Sequence, residues 1–563
     1  MAKRFPVLQA LLLPLLTALP LTLAAQCAPM GGATEMARGT VFLDSNRSGL
    51  LDAGEPGIAG VAVSNGCDVV QTDSAGRYEI GLAQTDILMI SKPAAYAVPV
   101  DENNTPQFFY LHYPEGTPSI IQGTAVEWIF PVVEPTGPLP ATVNFALIPD
   151  DSANSNFRAH GFADTQARFD LGQDMLREDL INPLIDNPYD VEFGLTVGDV
   201  VYDNLAIYDR HKAMMGLMDI PQWYLPGNHD LNFASPNAYF ANETYKRHFG
   251  PTYYSFDHGN AHFVALNNVE YAGAGQEFAD GRYRGYITDN QLQWLRNDLA
   301  LVDRNKLLVI MTHIPLLAEA DDGSSPLATG PNTANFNSLL EILAPFSSIY
   351  GLAGHDTSNS WKTEVNHRHG WSGRPWIAHT LAEVRGNGWT TGPADLRGVR
   401  DAMMEDGNPN GFYVLHFEDR ELTPEFIPFP FGPDAAQRLR ISLDPPLAQP
   451  LEGAVNRGRL STDTRLVVNL FDGGARDTVW YSLDDDEPIE MRYTVSTDPY
   501  VERIHAQYAE SDSAYGRPVR SSHIWEAKLP DNLTPGLHQV IVTSQDEFGQ
   551  AQRGTFTFEI AAD

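Results

Sequence analysis

The middle of the chain is punctuated by short apolar runs that each stop at a polar side chain able to bind a ligand. Runs at 157–162, 193–197, 223–225, 306–312 and 348–353 lead into Asp164, Asp199, Asn228, His313 and His355. Runs of this length, without polar alternation, predict strands buried on both faces. Helical spacing follows two of them. The stretch 167–181 is amphipathic and predicts a helix ended by Pro183, and a second helical stretch runs to Met218. A later amphipathic segment from Asp289 predicts a helix with Asp289 as its N-cap and Trp294 in the core. Strands alternating with helices define an α/β (α+β) region, and strand ends in such folds gather their side chains at one edge.

The flanks carry a different pattern. From Gly39 onward short alternating strands are separated by turns such as Asp73-Ser-Ala-Gly76, and Pro131, Pro135, Gly137, Pro138 and Pro140 predict a stiff linker. Short strands return toward the carboxyl end, broken by turns at Asp472-Gly-Gly and Pro535-Gly. The expected division is a signal peptide at 1–25, an all-β sandwich with its linker at 26–140, the α/β domain at 141–433 and an all-β sandwich at 434–563. A chain of 563 residues is too long for one hydrophobic core, which agrees with three folded units.

Lys3 and Arg4 precede an apolar stretch reaching Ala25, the pattern of a secretory signal, while Pro6, Pro14 and Pro20 disfavour a membrane helix. The expectation is a secreted or periplasmic protein without a membrane span. The two cysteines, Cys27 and Cys67, are expected to form a disulfide, with lipid modification of Cys27 as the competing reading. Asp44, Asn46, Ser48, Leu50, Asp52 and Glu55 fall at positions 1, 3, 5, 7, 9 and 12 of a loop with Gly49 at position 6. That spacing matches a calcium-binding loop, here between strands, so a structural calcium ion is expected. The formal net charge of −35 repels nucleic-acid phosphates and anionic lipid, so neither is an expected partner.

Asp164-x-Gln166, Gly198-Asp199-x-x-x-Asp203, Gly227-Asn228-His229-Asp230, an apolar strand ending in His313, and Gly354-His355 occur in that order. Together they resemble the calcineurin-like metallophosphoesterases from about residue 157 to about 430, and the flanks resemble a secreted three-domain branch of that family. The resemblance implies two divalent cations (Mn, Fe or Zn) and a bridging hydroxide that attacks a small phosphorylated substrate, a phosphomonoester or phosphodiester. Asp199 is implied to bridge the ions, with Asn228, His313 and His355 completing one site and Asp164 and Gln166 holding the other. His229 is implied to protonate the leaving oxygen, oriented by Asp203 or Asp230. Two positions depart from the pattern, the first being Asp164-x-Gln166 where the family more commonly has Asp-x-His. The family's Gly-His-x-His is Gly354-His355-Asp356-Thr357 here, so the second site lacks a histidine. Asp356, His367, His369 or His379 is expected to replace it, or the second ion is weakly held. The alternative reading is a catalytically degenerate binding protein with one intact metal site. Substrate identity and oligomeric state are not encoded in these motifs.

Overall fold

The computed structural model describes residues 34–562, apart from 151, 153, 280, 319–331, 387, 390, 430–435, 448–456 and 485. The expected signal segment, Cys27 and the expected boundary at 433/434 therefore lie outside the described residues.

Two mixed sheets face each other in the centre. One has five strands in the order Gln222–Leu225, Phe193–Val197, Asn156–Phe162, Gly411–Glu418 and Glu421–Pro428, the first three parallel. The other has six, in the order Tyr254–His258, Ala261–Ala265, Leu307–Met311, Ser348–Ala353, Trp376–Thr380 and Trp361–Val365. Their inner faces share one core, where Trp223 stacks on Phe256 with ring centroids 4.0 Å apart and Phe157 stacks on Phe417 at 4.3 Å. Helices Asp170–Leu176 and Tyr208–Met215 cover the outside of the first sheet through Met175, Leu176, Met214 and Met215. Helices Asp289–Leu299 and Phe336–Leu343 cover the second. The centre is thus a four-layered α/β sandwich, and burial on both faces explains the unbroken apolar runs.

Local details depart from the expectations in three places. The first helix does not stop before Pro183. It widens over Arg177–Ile181 and runs on through Asn182–Leu184, and a widened turn relieves the clash and lost hydrogen bond that proline imposes. The helix Asp289–Leu299 is capped by Thr288, whose hydroxyl accepts from the Gln291 N–H, so Asp289 is its first residue. Trp294 is 1% exposed in the core as expected. The strand Phe145–Pro149 pairs in parallel with Glu35–Leu43, so the amino-terminal sheet reaches past residue 140.

That amino-terminal region holds two four-stranded sheets, all β as expected, and its core is continuous with the central one. Phe108 sits 5.1 Å from both Trp223 and Tyr254 by ring centroid, so the junction includes apolar packing, and polar contacts such as Lys212 to Asp101 at 2.9 Å cross it as well. The carboxyl-terminal sandwich of four and five strands has its own apolar core. It meets the centre through buried polar contacts, among them His523 to Asp406 at 2.8 Å and Asp472 to His379 at 3.0 Å. Among the described residues no helix is long and apolar enough to cross a membrane.

Candidate metal centre

All five strand-end side chains converge on one edge of the sandwich, supplied by both sheets. The preceding glycines make that convergence possible. A Cβ on Gly198 would lie 2.3 Å from the His313 ring, one on Gly227 would lie 2.1 Å from Asp199 Oδ1, and one on Gly354 would lie 2.2 Å from Asp164 Oδ2. Each glycine therefore makes room for a ligand side chain arriving from a different strand. The cost shows in the backbone, since Asp164, Gln166, Asp199, Asp203 and His355 all have positive φ, between 37° and 75°. L-residues avoid this region, and strain of this kind concentrates where a side chain must be aimed.

Ligand atoms of Asp199, His313 and His355 all lie within 4.8 Å of one another. His313 is fully buried, and its Nδ1 faces the Val197 carbonyl at 3.0 Å, which assigns the ring proton to that nitrogen. Its Nε2 then turns a lone pair toward Asn228 Oδ1 at 3.0 Å, His355 Nδ1 at 3.2 Å and Asp199 Oδ1 at 3.3 Å. Three electron-rich atoms around a lone pair repel unless a proton or a cation sits between them. Without a cation, protons fill that role. Burial would lower the His313 pKa, but the charge of Asp199 and its hydrogen bond outweigh it and raise the value to about 9. Burial and the neighbouring His313 push His355 down to about 3. Burial opposes the ionisation of Asp199, yet His313 and His229 hold its carboxyl below the usual range. Two nitrogens and two oxygens in this arrangement fit a borderline divalent cation.

Asp164 and Gln166 stand beside this cluster. Asp164 Oδ2 accepts from the His355 N–H at 2.9 Å, and Gln166 Nε2 donates to Asp199 Oδ2 at 2.6 Å. Asp164 Oδ1 and Gln166 Oε1 are buried without a hydrogen-bond partner. Burial, with the charge of Asp199, raises the Asp164 pKa to about 7. Such orphaned oxygens are costly unless a cation or an ordered water meets them. The substitutes expected for the missing histidine make other contacts. Asp356 accepts from the N–H groups of Ser358 and Asn359 and closes its own turn. His379 is bonded to Asp472 and Tyr350 in the interdomain packing, His367 is exposed, and His369 accepts from the Asn366 N–H. The tryptophans of this segment pack: Trp361, Trp371, Trp376 and Trp389 are all buried.

The alternatives for orienting His229 separate cleanly. His229 Nδ1 lies 2.7 Å from Asp203 Oδ1, and its ring stacks on Tyr202 at 4.0 Å. Asp230 points away and accepts from the N–H groups of Gly227 and Val200 and the Tyr208 hydroxyl, tying two strand-end loops together. Burial works against a charged His229, but Asp199 and Asp203 raise its pKa overall. Two residues were missed from the sequence. Arg385 lies over the same Tyr202 ring, 5.4 Å from its centroid, and bonds Glu383, whose carboxylate is fully buried. Asn268 was also missed as a positioning residue, accepting from the N–H groups of His313 and Ile314 to fix the loop. The Asn-Asn pair after an apolar strand was its only signal.

The 44–55 loop is folded inward on itself. Asp44 is buried and accepts from the Ser48 and Gly49 N–H groups, and Asp52 accepts from Asn46 and Ser48. Ser48 also donates to the Leu50 carbonyl, and Glu55 accepts from the Ser45 and Asp52 N–H groups. Among the described residues its acidic groups form no cluster as tight as that of Asp199, His313 and His355. Cys67 is buried and disulfide-bonded.

Two family models match the chain. One, described as the N terminal of calcineurin-like phosphoesterase, covers residues 45–120, and the other, the C terminal of calcineurin-like phosphoesterase, covers 379–551. A 3',5'-cyclic-nucleotide phosphodiesterase from a Nostoc species is 28% identical over 123 residues, 22% of this chain and 41% of the relative. The chain thus spans about two fifths of that relative's length. A purple acid phosphatase from yellow lupin (Lupinus luteus) seeds is similar in structure at 14% identity and a TM-score of 0.34, over 70% of this chain and 67% of that one. The two matched segments, with the strand-end motifs that lie between them, make the chain similar to the calcineurin-like phosphoesterases and support that family for it.

Proposed function

We propose that the protein is an exported metal-dependent hydrolase of phosphomonoester or phosphodiester bonds in small molecules. The observation that carries this reading is the His313 Nε2 lone pair, ringed by Asn228, Asp199 and His355 donors that only a cation or trapped protons reconcile. Asp199, Asn228, His313 and His355 hold one divalent ion, and Asp164 and Gln166 contribute to a second. When bound, such ions supply charge neutralisation for the phosphoryl oxygens and acidify water into a nucleophile. The chain's own residues do the rest. His229, with Nδ1 held by Asp203 and its face by Tyr202, presents Nε2 toward the metal edge, 3.9 Å from Asp199 Oδ2, as the acid for the leaving oxygen. Arg385, beside that ring, offers a cation to the substrate phosphate. The loop of Asp44, Asn46, Ser48, Leu50, Asp52 and Glu55 takes a structural calcium ion.

Chromogenic phosphomonoesters and phosphodiesters, assayed with added Mn and Zn, test this. Turnover that falls in Asn228→Ala and His229→Ala supports the reading, and no turnover with any metal would sink it. Thr357 favours a second reading, a binding protein that keeps the first metal site alone, which predicts one tightly bound ion and no hydrolysis.

A further inference from the structure

Glu383 is 0% exposed, and nothing in the motifs accounts for it. Its neighbours are hydrogen-bonded to the two strand ends that carry Asp164 and His355. The Val384 N–H donates to the Ala163 carbonyl at 2.8 Å and the Leu381 N–H to the Ala353 carbonyl at 2.9 Å. This wedges Glu383 against the metal edge, where its electrostatic neighbours are Asp164, Asp199, Asp356 and Arg385. Arg385 Nε reaches Glu383 Oε2 at 3.3 Å, while Oε1 has no hydrogen-bond partner. Asp164 Oδ1 and Gln166 Oε1 are unpartnered as well. Three buried oxygens thus lack a partner, two of them from carboxylates that interact electrostatically with each other and with Asp199, and Arg385 answers only Oε2 of Glu383; such groups are costly unless a cation or water meets them.

We propose that Glu383 supplies the ligand that Thr357 cannot, and that the second metal site is an all-oxygen site built from Asp164, Gln166, Asp199 and Glu383. The inference rests on the two-ion reading given above. It has a consequence for metal identity. Oxygen donors suit hard ions such as Mn²⁺ or Mg²⁺, whereas the two imidazoles of the first site suit Zn²⁺ or Fe²⁺. The two sites are therefore filled by different metals.

Metal content and Mn²⁺ and Zn²⁺ titrations of the full chain, with Mn²⁺ followed by electron paramagnetic resonance, test it. The wild type is expected to hold two equivalents, one of them exchangeable for Mn²⁺. Glu383→Gln is expected to keep the Zn²⁺ equivalent, which also shows that it folds, and to lose Mn²⁺ affinity by at least roughly tenfold. Glu383→Asp serves if the amide variant does not fold, with the same direction expected. Adding Thr357→His to Glu383→Gln is expected to restore the second equivalent with a new preference for Zn²⁺. Wild-type Mn²⁺ affinity in Glu383→Gln overturns the inference, as does a wild type with one equivalent that Glu383→Gln leaves unchanged. A wild type that binds no metal overturns the proposed function itself.

Discussion

Gly227 packs directly against Asp199: a Cβ at Gly227 would stand 2.1 Å from the Asp199 carboxylate and 2.3 Å from its backbone nitrogen. Neither atom is the end of a flexible side chain, because Asp199 is 1% exposed and its Oδ1 already accepts from the His229 N–H at 2.8 Å. Gly227→Ala is therefore expected to displace Asp199, to cost about 1–3 kcal/mol of stability and to remove bound metal. Thermal unfolding and metal analysis of the variant check both parts. Retained metal with unchanged stability would show that the close approach has no consequence.

The His229–Asp203 pair predicts a dependence on the leaving group. Removing a general acid typically lowers the rate by roughly 10²–10⁴-fold, and by least when the leaving group needs no proton. His229→Ala is expected to slow alkyl phosphate esters far more than nitrophenyl esters. Asp203→Asn, which weakens the positioning without removing the imidazole, is expected to fall between wild type and His229→Ala. Equal losses on both ester types would assign His229 to structure and not to proton transfer.

Arg385 predicts a change in substrate affinity. Its side chain is 14% exposed, anchored at Nε by Glu383 and packed over the Tyr202 ring on which His229 stacks, and a bound phosphate is expected to take one of its other N–H groups. Loss of one charged hydrogen bond is worth about 1.5–3 kcal/mol, or roughly 10- to 100-fold. Arg385→Ala is expected to raise KM or lower kcat/KM by that factor while the bound metal stays. Lysine is expected to restore only part of the loss, since it lacks the planar fork. An unchanged kcat/KM would remove Arg385 from the substrate site.

The ligand edge was legible in the sequence because it is a local pattern repeated five times, an apolar run followed by Asp, Asn or His. Three of those side chains come directly after a glycine that other strands' ligands require. What the sequence could not separate was Asp203 from Asp230, since both flank the same loops and only the fold turns Asp230 toward the Gly227 and Val200 amides. Glu383 had no motif at all. It reaches the edge through backbone pairing of Val384 with Ala163 and Leu381 with Ala353, contacts between segments far apart in the chain. The parallel pairing of Phe145–Pro149 with Glu35–Leu43 was hidden for the same reason, and so the proline-rich stretch read as the end of the amino-terminal unit.

The 44–55 loop predicts calcium-dependent stability. Six oxygen-bearing positions are already gathered by internal hydrogen bonds, so a bound ion adds to an ordered turn. Calcium is expected to raise the unfolding temperature, a chelator to lower it, and Asp44→Asn or Glu55→Gln to abolish the difference. An unfolding temperature indifferent to calcium in the wild type would leave the loop as a hydrogen-bonded turn.

His262 predicts how stability varies with pH away from the metal edge. It is buried with Nδ1 2.7 Å from Asp257 and Nε2 3.0 Å from Asp298, while Ser91 of the amino-terminal region also donates to Asp298. Burial lowers its pKa, but Asp298 and Asp257 outweigh that and raise it to about 9. Because the folded value lies above the unfolded one of about 6.5, the charged histidine stabilises the fold fully below pH ~6.5, and that contribution is lost as pH rises through about 9. The full effect is on the order of 3 kcal/mol. Lys92, close by, runs the other way, because burial lowers its pKa to about 8 and deprotonation then favours the folded state as pH rises. Comparing wild type with His262→Gln separates the two, since Lys92 is present in both. The wild type is expected to be the more stable at pH 6.5 and to lose that advantage by pH ~10, measured by unfolding at each pH. A difference that stays constant across the range would mean that the imidazole between Asp257 and Asp298 is held neutral.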